Sequence, residues 1–139
     1  MEITANAVQT VLTNQNVTFT DNVVCGGGSI LHRAGSGLVT LKGTTNQCRA
    51  RFRVNFGANV AIPTGGTVGP ITLAITLDGE PIGSTTMIVT PAAVENFFNV
   101  STNTFIDIPR GCCMSIGIKN LTDESILVQN ANLITERVA

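Results

Sequence analysis

Apolar and polar residues alternate with a period of two along most of this chain, and no stretch shows the three-to-four-residue spacing of an amphipathic helix. The clearest run spans residues 48–56. Ala50, Phe52, Val54 and Phe56 fall on one face of a strand, while Arg49, Arg51, Arg53 and Asn55 fall on the other. The apolar face belongs in a core. Similar runs predict strands at 8–12, 16–20, 30–32, 38–42, 71–77, 81–90, 96–108, 112–119 and 125–138. The 96–108 strand is expected to break near Thr102 and Asn103, and residues 91–94 to form one helical turn. Asp78-Gly79 between two alternating runs signals a tight hairpin, and Pro109-Arg110-Gly111 a second turn. About nine or ten short strands, punctuated by Gly, Pro, Asn and Asp, point to one all-β domain over residues 1–139. The architecture expected is a two-sheet antiparallel jelly-roll sandwich.

Composition adds a reason to expect assembly. Only 12% of the residues are charged, against about 25% in a typical soluble domain. Apolar surface must then be kept from water in another way, and burial in a permanent oligomer is the simplest. No stretch approaches the roughly 18–20 apolar residues of a membrane helix, so no membrane insertion is expected. A net charge of −1 argues against general attraction to nucleic acid, and the absence of Trp and Tyr removes the usual stacking platforms for bases or sugars. The first residues carry neither a basic nor an apolar leader region. Export is therefore expected as part of an assembled particle, by lysis, or after removal of a leader not shown in this sequence.

Candidate chemistry is sparse. Cys25, Cys48, Cys112 and Cys113 form no Cys-x-x-Cys pair, and His32 is not spaced as a ligand partner, so no metal and no cofactor are expected. The cysteines read as buried free thiols, with a Cys25–Cys48 disulfide left open. The glycine-rich runs at 26–28 and 65–69 lack the Gly-Lys-Ser/Thr ending of a phosphate loop and read as flexible connections. Asn-x-Ser/Thr triplets begin at Asn16, Asn99 and Asn120, as chance provides in a chain rich in Asn and Thr. His32 could be imagined as a base for Cys25, but no third group completes a catalytic set, and a surface-facing polar role is expected instead. Asp123-Glu124 falls short of a calcium cage. The chain is expected not to be an enzyme.

Residues 71–84, with an apolar strand leading into Asp78-Gly79-Glu80, resemble the central hairpin of the C1q/TNF-like globular domain. Residues 105–116, in which Gly111 joins two strands, resemble a second segment of that family, and 126–138 resemble its terminal strand. Arg51-Phe52-Arg53-Val54-Asn55-Phe56 stands where the family has an aromatic-rich alternating strand. The family's tyrosines are missing, and Cys112 follows the turn glycine where the family has Asp.

The resemblance implies a homotrimer. If the 48–56 strand lies in the inner sheet, Arg49, Arg51 and Arg53 point towards the three-fold axis and need carboxylates or a bound anion. Glu136 is a possible counter-ion, with Glu95 and Asp107 as further candidates; the other reading is a solvated sheet face. Of the adjacent Phe97 and Phe98, one ring should face the core and the other outward; Phe98 is a candidate trimer contact, with core packing around a bulge as the alternative. The candidate interface set is thus Arg49, Arg51, Arg53, Phe98 and Glu136. The Thr/Asn/Gly-rich texture also resembles bacteriophage and prophage structural proteins. The function expected is a virion structural protein, assembled in the bacterial cytoplasm, that decorates a capsid or forms a fibre or tail-tip module. Its partners would be itself and a capsid, fibre or other virion protein. The alternative is a C1q-like adhesion domain of the bacterial cell or spore surface that binds a cell-surface ligand.

Overall fold

A computed structural model describes residues 1–139, and strands account for nearly all of its regular structure. In chain order these are β1 (Glu2–Ala5), β2 (Gln9–Val11), β3 (Asp21–Val24), β4 (Ile30–His32), β5 (Val39–Lys42) and β6 (Arg49–Ala61). They continue with β7 (Ile71–Leu77), β8 (Glu80–Pro81), β9 (Met87–Val89), β10 (Phe98–Pro109), β11 (Cys113–Asn120) and β12 (Ile126–Arg137). All pairings are antiparallel. One sheet runs β10-β6-β12-β1-β3, with β2 also on β12; the other runs β4-β5-β11-β7-β8, with β9 also on β7. The inner faces enclose a single cluster of 28 buried residues that includes Phe19, Phe52 and Phe56. This is a two-sheet jelly roll.

β6 buries alternate residues, Ala50 to Val60, and continues five residues past its expected end. Gly57 does not stop it, because Ala58 and Val60 keep the alternation and the ladder to β10 runs unbroken from Phe98↔Val60 to Pro109↔Arg49. For the same reason β10 does not break at Thr102 and Asn103: Thr102 lies opposite Phe56 on the core side. The Asp78-Gly79 turn forms as expected, with both residues at positive φ (50° and 88°), as a two-residue hairpin requires. The strand expected beyond it, 81–90, is instead split into β8, a 3₁₀ turn at Gly83–Thr85, and β9. The Thr85 hydroxyl receives the N–H of Ile75 and donates to Ile82 O, taking the place of ladder bonds. Residues 91–94 form a bend at Ala92-Ala93 running into a turn at Val94-Glu95, with no helical turn.

Residues 16–20 were expected as a strand and instead cross from one sheet to the other. Val17 N–H donates to Ile118 O, Phe19 N–H to Ser36 O and Thr20 N–H to Thr4 O, so each residue bonds a different neighbour. The alternation still holds, because Val17 and Phe19 are fully buried. Phe19 meets Phe56 and His32 edge to face, at ring-centroid distances of 6.4 and 6.3 Å. Two short strands, β1 and β3, add to the sheet beyond those expected.

The cysteines overturn their expected role. All four are exposed and free, so none packs the core and Cys25 is not bridged to Cys48. β3 and β6, which flank those two residues, are three strand spacings apart, roughly 14 Å, whereas a disulfide needs Cα atoms within about 7 Å.

Candidate functional site

The free face of the β10-β6-β12 sheet is built by register. Pairing sets Asp107 opposite Arg51, Phe105 opposite Arg53, and Glu136 opposite Arg53 from the other side. Cross-strand neighbours lie about 5 Å apart, within reach of these side chains. Arg51 donates twice to Asp107, from Nε to Oδ1 at 2.8 Å and from Nη2 to Oδ2 at 3.0 Å. Arg49 adds an ion pair to the same carboxylate, Nε to Oδ2 at 3.1 Å. Arg53 Nη1 donates to Glu136 Oε1 at 3.2 Å. The guanidiniums of Arg51 and Arg53 stand 5.9 and 5.5 Å from the Phe105 ring centroid. The hydrogen bond from Arg51 holds the Asp107 carboxyl below the usual carboxylate range, and the same bond raises the guanidinium.

Arg49, Arg51, Arg53 and Glu136 therefore share one face, and the chain supplies their counter-ions itself. Asp107, one of the two further candidates, neutralises two arginines, and Glu136 serves the third. Three cations against two carboxylates leave one positive charge on this patch. Glu95 takes no part: it lies beside the Phe98 end of β10, its N–H bonded to Ile62 O, whereas the arginines occupy the Pro109 end.

Further down, the face turns to amides. Asn59 Nδ2 donates to Asn130 Oδ1 at 3.4 Å, Asn99 Nδ2 to Asn59 Oδ1 at 3.3 Å, and Asn132 Nδ2 to Glu2 Oε2 at 2.5 Å. Phe105 and Ile134 are its large exposed apolar side chains. Phe97 and Phe98 are both exposed, contrary to the expectation that one ring enters the core. Phe98 lies opposite Val60, where the sandwich opens at its β9/β10 edge, so its core-side position reaches solvent. Ile88 of β9, 66% exposed, sits on the same edge. Val23 and Val24 are exposed on β3, at the opposite edge.

His32 is engaged at both ring nitrogens, Nδ1 with Asn22 Oδ1 at 2.5 Å and Nε2 with Ser36 O at 2.9 Å. It pins β3 to β4 and is not directed to Cys25. Asn120, one of the three Asn-x-Ser/Thr positions, is fully buried; its Nδ2 donates to Val11 O and Glu124 O. Glu124 Oε1 accepts the Thr67 N–H at 3.0 Å, fastening the 63–70 loop. Hollows in the surface are shallow; one of about 390 Å³ is lined by Gln47, Cys48, Arg49, Arg51 and Ala139.

No protein-family model matches this sequence, and no curated relative does. Solved structures do match in shape. The globular domain of zebrafish complement 1qA protein superposes with a TM-score of 0.64 at 15% identity, covering 96% of this chain and 93% of that one. Murine APRIL, in a structure at pH 5.0, gives a TM-score of 0.59 at 10% identity, covering 95% of this chain and 96% of that one. Strand order, the two six-stranded sheets and these superpositions agree: the chain has the C1q/TNF-like jelly-roll fold.

Proposed function

We propose that the chain is a non-enzymatic virion structural protein that works as a homotrimer, decorating a capsid or forming part of a fibre or tail tip of a phage or prophage. The observation that carries self-association is the distribution of exposed apolar side chains on the β10-β6-β12-β1-β3 sheet. Phe105 and Ile134 stand on its free face, Phe98 and Ile88 beside one edge, and Val23 and Val24 at the other. A ring in which each subunit turns one edge to the sheet of the next buries Phe105 and Ile134 together with the apolar residues of that edge, and such a heterologous contact closes when the rotation closes. The arginine row does not oppose this packing, since Asp107 and Glu136 neutralise most of it within each subunit. The Thr/Asn/Gly-rich sequence supports the virion assignment, and the low charge supports permanent assembly.

The test is native mass by light scattering coupled to size exclusion, in reductant and moderate salt, followed by co-sedimentation with purified phage capsids and with bacterial cells and spores. A mass three times 14.5 kDa, with sedimentation on capsids alone, is expected. A monomer would remove the trimer, and binding only to cells or spores would turn the assignment to a surface adhesion domain.

A further inference from the structure

The two ends of the sandwich differ in chemistry. At the end where β6 finishes, four connections meet, at 12–16, 62–70, 90–97 and 121–125. Their meeting follows from the register Leu127↔Ala61, Phe98↔Val60, Ile126↔Val11 and Ile71↔Val89. These connections carry Glu95, Asp123 and Glu124 and contain no Lys or Arg. They also expose Leu12, at 58%, together with Val68 and Phe97. Lys119, bridged to Asn16, stands beside these three carboxylates, so this end is apolar and acidic on balance.

The other end, some 40 Å away along β6 at about 3.3 Å per residue, is basic. Lys42, Arg49, Arg110 and Arg137 gather where Pro109 pairs with Arg49, Cys113 pairs with Lys42, and Arg137 Nη1 donates to Thr44 O. Cys48, Cys112 and Cys113 are exposed at the same end, with Arg110 N–H on Cys48 O and Gly43 N–H on Cys112 O tying their turns together. A free thiol behaves as a small hydrophobe and is ordinarily buried. Arg49 is paired with Asp107, and Arg137 donates to Ala139 O and Thr44 O, so Lys42 and Arg110 carry the excess positive charge here; with three thiols in water they make a surface that complements the apolar, acidic end.

We infer that copies of this chain stack head to tail, the acidic end of one seated on the basic, thiol-bearing end of the next. Such a contact is heterologous and has no rotation that closes it, so it propagates as a filament. The occupant of each end is therefore a second copy. The inference rests on the structural reading proposed above and narrows it to fibre formation; it holds whether the stacked unit is one chain or three.

The experiment uses the purified protein in reductant, so that no disulfide contributes. Light scattering follows mass against concentration at low and high ionic strength. Wild-type mass is expected to rise with concentration in whole multiples of a base unit at low salt, and to fall back to that unit at high salt, where charges beyond about a Debye length are screened. The base unit itself, one chain or three, reports separately on the trimer. Two variants decide the matter. Glu95→Lys with Asp123→Lys makes both ends basic, and Lys42→Glu with Arg110→Glu reverses the other end. Each alone should remain at the base unit, and an equal mixture should associate again. Wild-type mass independent of concentration and salt would overturn the inference. So would growth of either variant alone, or failure of the mixture to associate while both variants keep wild-type melting curves.

Discussion

Replacing Phe105 with Ser tests the assembly face directly. The ring is 56% exposed in the single chain; of a side chain that can bury about 200 Å², about 110 Å² is left for a neighbouring subunit to cover. At about 25 cal/mol per Å² that is about 2–3 kcal/mol for each contact. A closed ring of three contacts would lose about 6–9 kcal/mol, a roughly 10⁴- to 10⁷-fold drop in the trimer association constant. The isolated fold should hardly notice, since surface changes usually stay within about 0.5 kcal/mol. The assay is a dilution series of Phe105→Ser by light scattering beside wild type, with urea melts of both in the monomeric range. The expected result is dissociation at concentrations where wild type is intact, with unchanged monomer melts. A Phe105→Ser trimer that dissociates at the wild-type concentration would show that no subunit covers this ring, and the face would have to be read as solvated.

Phe19→Ala should destabilise the fold by about 3–5 kcal/mol in urea melts, because the ring is fully buried between Phe56 and His32; a loss under about 1 kcal/mol would mean that the 16–20 crossing is not packed as described. Asn120→Ala should cost at least the roughly 1–3 kcal/mol of one orphaned polar group, since it strips partners from Val11 O, Glu124 O and Thr122 N–H; an unchanged midpoint in a urea titration would contradict that network. The Asp107 carboxyl is held below its ordinary range by Arg51, so it favours the folded state above its unfolded pKa and loses that effect as pH falls through the folded value. Wild type should accordingly exceed Asp107→Asn in stability at neutral pH by a margin that disappears on acidification and shrinks in salt; a pH-independent margin in the same melts would exclude an ionic origin.

Much of this molecule could be read from local pattern. The alternation of Ala50, Phe52, Val54 and Phe56 required a core on one side of a strand, and the arginines between them had to point the other way. Asp78-Gly79 announced its hairpin because only particular residues tolerate two successive positive φ values. What pattern cannot carry is the identity of the neighbour. Asp107 sits 56 residues from Arg51, and nothing local distinguishes it from Glu95 as a counter-ion; the β10–β6 register alone brings it opposite. The short strands β1 and β3 went unseen for a related reason: four residues hold too little alternation to stand out, and they become strands because β12 offers an unpaired edge to β1, and β1 to β3. The crossing at 16–20 alternates like a strand, yet its backbone N–H groups bond β11, the loop between β4 and β5, and β1 in turn.

The cysteines mark the same boundary between sequence and tertiary structure. A thiol is apolar enough to be assigned to a core from sequence, but whether it is buried depends on which end of the sandwich its turn occupies. The sequence by itself determined the strand period, the face each alternating side chain takes, the tight turns and the low charge, because all are set by residue chemistry within a few positions. Only the tertiary structure decided which carboxylate neutralises which arginine, which apolar side chains remain in water, and how charge divides between the two ends. Those depend on pairings between distant strands, and a shift of one residue in register would have turned every side chain of a strand to the opposite face.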